Sequence, residues 1–225
     1  MNNIKKFPAP WTLAGYGYIV LFKAKPAWLL ENGFINSEMQ DRYIPSIGAA
    51  MLVNYQDSTA GPYGELLFIP GKFRFPEGAR YSITKIYVST MESVVNGREN
   101  WGIPKEMADF EFTLQEDGSE HVRVSLAGQT IAACHLREGR FSLPVTTSIL
   151  PGKLCSVAQF GEGKVFYTSP QAHSRLKMAK IEKIEIDSRL FPDLNQVKVL
   201  GVFKADKMAM QFPPARSITP SSDLK

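Results

Sequence analysis

Along residues 110–126, FEFTLQEDGSEHVRVSL, apolar and polar side chains alternate. Phe110, Phe112 and Leu114 lead to Asp117-Gly118, and Val122, Val124 and Leu126 resume the pattern. A period of two sends successive side chains to opposite faces of an extended chain, so this stretch predicts a β-hairpin with one buried face. TIAACHL, after Gly128, predicts a further strand. The same reading marks strands in WTLAGYGYIVLFKA, SIGAAMLVNY, ELLFIP, YSITKIYVST, KVFYTS, KIEKIEID and VKVLGVFKADKMAMQF. Helical signals are few. PAWLLENG has Pro26 near its start and Gly33 near its end, and TMESVVNGREN has room for about two turns.

Many strands with one or two short helices predict a mainly β fold, an antiparallel sheet curled into a barrel or sandwich. No fixed-period repeat or interdomain linker interrupts the chain, so residues 1–212 are expected to form a single domain. The polar stretch 213–225, PPARSITPSSDLK, is expected to be a loose tail. Near the N-terminus, Lys5 and Lys6 precede an apolar run, as in an exported leader. Pro8, Pro10, Gly15 and Gly17 break that run, which reads as a strand instead. No stretch approaches the ~20 apolar residues of a membrane span. Cytoplasmic location is the default expectation.

Composition narrows the chemistry by exclusion. The net charge of +4 comes from 26 basic and 22 acidic residues spread along the chain. With no basic block, and with aromatics not interleaved with Lys or Arg, a nucleic-acid surface is not expected. Cys134 and Cys155 have no metal-ligand spacing, and His121 and His135 have no Cys or carboxylate at ligand spacing. GEGK at 161–164 reads as a hairpin turn, not a phosphate loop. No serine sits in a G-x-S-x-G turn.

A lysine remains. In GRENWGIPKEMADFEF, residues 97–112, Lys105 follows Pro104 and is crowded by Trp101, Ile103, Met107 and Phe110. Proline stiffens its own φ and pushes Ile103 toward extended backbone. If those apolar neighbours enclose the amine, desolvation favours its neutral form, the nucleophile that condenses with a ketone to an iminium.

This segment resembles the acetoacetate decarboxylase family, whose hallmark is Gly-Arg-Glu, a few residues, then Pro-Lys. Lys105 falls on the family's Schiff-base lysine. NYQDSTAGPYGELLFIP is similar to a family loop followed by Tyr-x-Glu, which implies that Glu65 is a site glutamate. FPDLNQVKVLGVFKADKMAMQFPPAR is similar to the family's closing strand. The resemblance implies a barrel-like sheet around an apolar cavity. It implies no metal or organic cofactor, since the iminium is the electron sink, and it implies a homo-oligomer of unstated number. Tyr63, Tyr16 and Trp101 are the residues expected to bind substrate.

Two departures change the expectation. Where most decarboxylating members carry a second lysine, this chain has Glu106, which opposes deprotonation of Lys105 only if both groups share a site. Side chains alternate on an extended segment, so Glu106 is free to face elsewhere. A gapless placement also puts Tyr16 where the family has a substrate-binding arginine. Arg98 is read as structural. The leading expectation is a lyase that decarboxylates a β-keto acid through an iminium on Lys105. The alternatives are a Schiff-base aldolase or dehydratase acting on a keto compound, and a non-catalytic binder of a small keto or apolar ligand.

Overall fold

The computed structural model describes residues 4–147, 156–161 and 163–219. The chain enters as β1 (Trp11–Lys23), then forms two short helices, α1 (Pro26–Asn32) and α2 (Ser37–Gln40). It continues through β2 (Tyr43–Ile44), β3 (Gly48–Ser58), β4 (Tyr63–Ile69), β5 (Lys72–Phe75), β6 (Gly78–Tyr81) and β7 (Lys85–Val88). Helix α3 (Met91–Trp101) leads to β8 (Lys105–Met107), β9 (Asp109–Leu114), β10 (Glu120–Leu126) and β11 (Gln129–Thr146). The last strands are β12 (Val157–Gly161), β13 (Lys164–Thr168), β14 (Gln171–Ile186), β15 (Lys198–Phe212) and β16 (Arg216–Ile218).

A ten-stranded sheet runs β8-β7-β4-β3-β1-β15-β14-β11-β10-β9. Every pairing in it is antiparallel except β7 with β8. Its two edge strands, β8 and β9, are consecutive in the chain with only Ala108 between them, so the sheet is nearly closed into a barrel. The Ala108 amide donates to the Val88 carbonyl at 3.0 Å. Gly64 on β4 lets the edge fold in, because a Cβ there would lie 2.6 Å from the Phe110 ring. A six-stranded sheet, β16-β13-β12-β6-β5-β2, forms a smaller layer.

Strand β4 shows how the core divides. All six residues from Tyr63 to Phe68 are buried. Leu66 and Phe68 join Tyr18, Val20, Phe22, Val122, Val124 and Cys134 in one cluster. Tyr63 and Leu67 face the other way, toward Trp11, Val53, Tyr55, Ile86, Trp101 and Ile103. Burial of both faces is why this strand reads as an apolar run instead of an alternating one.

Most expected strands are present, and the 110–126 hairpin pairs as expected, with Val122 opposite Phe112 and Val124 opposite Phe110. TMESVVNGREN gives a longer helix than two turns, eleven residues. YSITKIYVST divides between the end of β6 and β7. The expected loose tail is corrected over its first half. Arg216–Ile218 is β16, paired with β13, and the Trp101 indole donates to the Pro213 carbonyl at 2.7 Å. The chain therefore continues into the second sheet beyond residue 212. Cys155 and Glu162 of the 161–164 turn lie outside the described residues.

Burial in the first cluster pushes the Cys134 thiol up to about 12, with the Glu120 carboxylate adding to the effect. At about pH 8 almost none of it is thiolate, the reactive form. Iodoacetamide is therefore expected to leave Cys134 unmodified in the folded protein and to alkylate it in denaturant, as read by peptide mass mapping. Equal alkylation in both states would contradict the packing described.

Candidate active site

Helix α3 and the turn after it build the site. Thr90 caps the helix, its hydroxyl accepting from the Ser93 amide, and Gly102 ends it in the left-handed region at φ 65°. The chain then reverses through Ile103 and Pro104, so that β8 starts at Lys105 and runs beside the helix. Lys105 pairs in register with Ile86 on β7. The Gly-Arg-Glu motif gains a physical meaning here. A Cβ on Gly97 would lie 2.7 Å from Cδ and 2.9 Å from Cε of Lys105, so the glycine is clearance for the lysine stem. Arg98 Nε donates to the Lys105 carbonyl at 2.9 Å and braces its backbone. Glu99 pairs with Lys6 at the surface.

Lys105 is 4% exposed and Glu65 6%. Lys105 Nζ donates to Glu65 Oε2 and to Ser93 Oγ, each at 3.0 Å. It also lies 5.0 Å from the centroid of the Tyr63 ring. Tyr55 donates its hydroxyl to Glu65 Oε1 at 3.4 Å. Burial, then the Glu65 charge, holds both phenols well above the usual tyrosine range. Both stay protonated and keep a hydrogen to donate. The arrangement is an amine, a carboxylate and three hydroxyls packed in the second apolar cluster.

The structure thus brings together Lys105, Glu65 and Tyr63, and adds Ser93 and Tyr55. Ser93 lay inside a stretch that carries no motif. Helical spacing was the available signal, because Ser93, Gly97 and Trp101 recur every four residues on one face of α3. Trp101 packs edge-on against Trp11 at 5.1 Å and Phe212 at 4.8 Å, which makes it a core anchor. Tyr16 is elsewhere: it packs against the first cluster, bonds Glu120 through its hydroxyl and accepts from Asn54 at 3.2 Å. Glu106 also faces away from the site, accepting from Lys85 at 2.7 Å. The apolar cavity is lined by Tyr18, Val20, Leu66, Val124, Cys134 and Phe191, in the first cluster. It and the lysine lie on opposite faces of β4, because alternation turns Leu66 one way and Glu65 the other. Among the described residues no group of His, Cys, Asp and Glu is placed to hold a metal ion.

The fold is a nearly closed, mostly antiparallel barrel with a smaller second layer, and it buries a lysine–glutamate pair. Residues 36–148, half of the chain, match the sequence profile of the family described as Acetoacetate decarboxylase (ADC). The chain belongs to the acetoacetate decarboxylase family. Solved structures share the fold at low identity. Acetoacetate decarboxylase from Legionella pneumophila subsp. pneumophila str. Philadelphia 1 is 14% identical, with TM-score 0.70 over 94% of this chain and 88% of that one. An acetoacetate decarboxylase-like enzyme from Sphingomonas wittichii RW1 is 13% identical, with TM-score 0.64 over 95% and 94%. The enduracididine biosynthesis enzyme MppR, complexed with the condensation product of pyruvate and imidazole 4-carboxaldehyde, is 14% identical, with TM-score 0.64 over 94% and 90%. No curated protein sequence matches the chain.

Gly97→Ala tests the clearance role. Alanine favours the helix by roughly 0.5–1 kcal/mol, and its methyl meets the flexible stem of Lys105. Because a displaced Nζ weakens the buried pair with Glu65, urea melts are expected to show a net loss of stability despite that gain. A crystal structure is expected to show Nζ moved out of hydrogen-bond distance of Glu65. An unmoved lysine would refute the clearance role.

Proposed function

We propose that this protein is a Schiff-base-forming lyase that decarboxylates a β-keto acid through an iminium on Lys105. The observation that carries this reading is Lys105 Nζ in the apolar cluster, 3.0 Å from both Glu65 and Ser93. In its neutral form the amine attacks the keto carbonyl, and Glu65 takes the proton that must leave nitrogen. Ser93 and the protonated phenols of Tyr63 and Tyr55 donate to the oxygen charge that develops on the carbinolamine. Water then leaves, and the iminium takes the place of the ammonium, so the charge opposite Glu65 stays matched. Electrons of the breaking C–C bond flow into that iminium, carbon dioxide departs and an enamine remains. Protonation at carbon followed by hydrolysis releases the ketone and restores the lysine, with one proton consumed per turnover. A substrate carboxylate held in the apolar cluster around the amine loses its charge on becoming carbon dioxide, a change that apolar surroundings favour.

A second reading uses the same iminium for aldol addition, retro-aldol cleavage or dehydration. One observation favours it. The polar groups on Lys105 Nζ are Glu65 and Ser93, and Tyr16, at the position expected for a carboxylate-binding arginine, packs in the other cluster. The MppR complex, with a condensation product bound, is in keeping with such chemistry on this fold.

Incubation with acetoacetate and borohydride is expected to leave a stable adduct on Lys105, located by peptide mass mapping and absent from Lys105→Ala. Carbon dioxide release separates the two readings: adduct with gas supports decarboxylation, and adduct without gas supports the second. An adduct on another lysine, or none with any keto acid tried, overturns both and leaves a non-catalytic binder. Replacement of the proton acceptor, Glu65→Gln, is expected to slow adduct formation by about 10²–10⁴-fold.

A further inference from the structure

On β10 and β11, His121 and His135 are register partners. Their ring centroids are 4.4 Å apart, with the planes tilted by 33°. Their chain neighbours Glu120, Val122, Cys134 and Leu136 are buried in the barrel, so alternation turns both imidazoles to the outer surface, where each is half-buried. Directly opposed cross-strand residues have Cβ atoms about 4.5–5.5 Å apart. Imidazoles at adjacent paired positions are close enough for one nitrogen lone pair from each to be turned onto a single metal ion at roughly 2 Å. The two backbones set the separation, so little conformational freedom is lost on binding.

We propose that His121 and His135 form a binding site for one divalent late transition-metal ion, with water completing the coordination shell. Among the described residues no third His, Cys, Asp or Glu joins them in a metal-holding group. Affinity therefore rests on the imidazole pair and follows the ligand-field order, Cu²⁺ above Ni²⁺ and Zn²⁺. The surrounding charges permit a cation. Opposite His135 on β14 lies Lys183, and Glu185 neutralises it at 2.6 Å. Thr113, opposite His121 on β9, is uncharged. Arg123, two residues along, is directed to Thr130 and the Gly128 carbonyl. A bound ion would clamp β10 to β11, strands that supply none of the groups around Lys105, so this site is independent of the reaction proposed above.

The test is isothermal titration of the full-length, chelator-treated protein with Cu²⁺, Ni²⁺ and Zn²⁺ salts. One ion per chain is expected, with Cu²⁺ the tightest. His121→Ala and His135→Ala are each expected to weaken binding by more than about 10-fold, since losing even an outer-shell partner of a metal site costs that much. His173→Ala is expected to bind as the parent does. Circular dichroism melts without metal check that each variant folds, and a metal-induced rise in melting temperature, present in the parent and lost in both variants, is a second readout. No binding by the parent, unchanged binding in either variant, or loss that follows His173 overturns the proposal.

Discussion

A buried ammonium and a buried carboxylate, Lys105 and Glu65, sit 3.0 Å apart with their side chains 5% and 7% exposed. Removing each ion from water costs several kcal/mol, and only close pairing with well-placed hydrogen bonds offsets that. The supporting groups are Ser93 on the amine, Tyr55 on the carboxylate and the Tyr63 ring facing the charge. Taking away one ion strands the other in apolar surroundings, a loss of about 3–5 kcal/mol. The registers of β4, β7 and β8 are therefore tied to one another through this contact. Glu65 stands opposite Val88, and Val88 stands beside Met107, two residues beyond the lysine.

Holding that contact is the work of α3 and its C-terminal turn. One face of the helix contributes a hydroxyl at Ser93, a gap at Gly97 and an anchor at Trp101. The anchor reaches the segment after β15, because the indole and the Thr168 hydroxyl both donate to the Pro213 carbonyl. Residues just past 212 thus help to fix the far end of the helix that positions the lysine. A polar composition hides this, since the interaction runs through a backbone carbonyl and leaves no mark in the hydropathy pattern.

The large sheet was legible because its strands are long and most bury one face, which produces a period of two. The second sheet was legible only at KVFYTS, β13, because β5, β6 and β16 span three to four residues each, too few for a period to emerge. At the site, Lys105 and Glu65 were found through motif resemblance, and Tyr63 followed as a near neighbour of Glu65. Tyr55 lies in the family-like stretch without a signal of its own and Ser93 belongs to no motif; β3–β4 pairing brings Tyr55 to Glu65, and helix rotation brings Ser93 to the amine. Tyr16 packs apart from Lys105 for a related reason. The β1–β15 register shifts between Gly15 and Gly17, and across such an irregularity the face of a side chain does not follow from its place in the sequence.

Glu106 carries the same lesson into the electrostatics. Adjacent to Lys105 along the chain, it resembles a substitution that would keep the amine charged. The pleat sends it to the other side of β8, where it pairs with Lys85, and that ammonium sits 4.6 Å from the Tyr87 ring in the barrel wall. The carboxylate that governs Lys105 comes instead from forty residues earlier in the chain and arrives through the sheet. A Schiff base at Lys105 would keep this balance, because an iminium carries the same single positive charge as the ammonium it replaces. Glu65 would then face one cation in the resting pair and one again at the iminium, and neither stage would require a second charge to be buried.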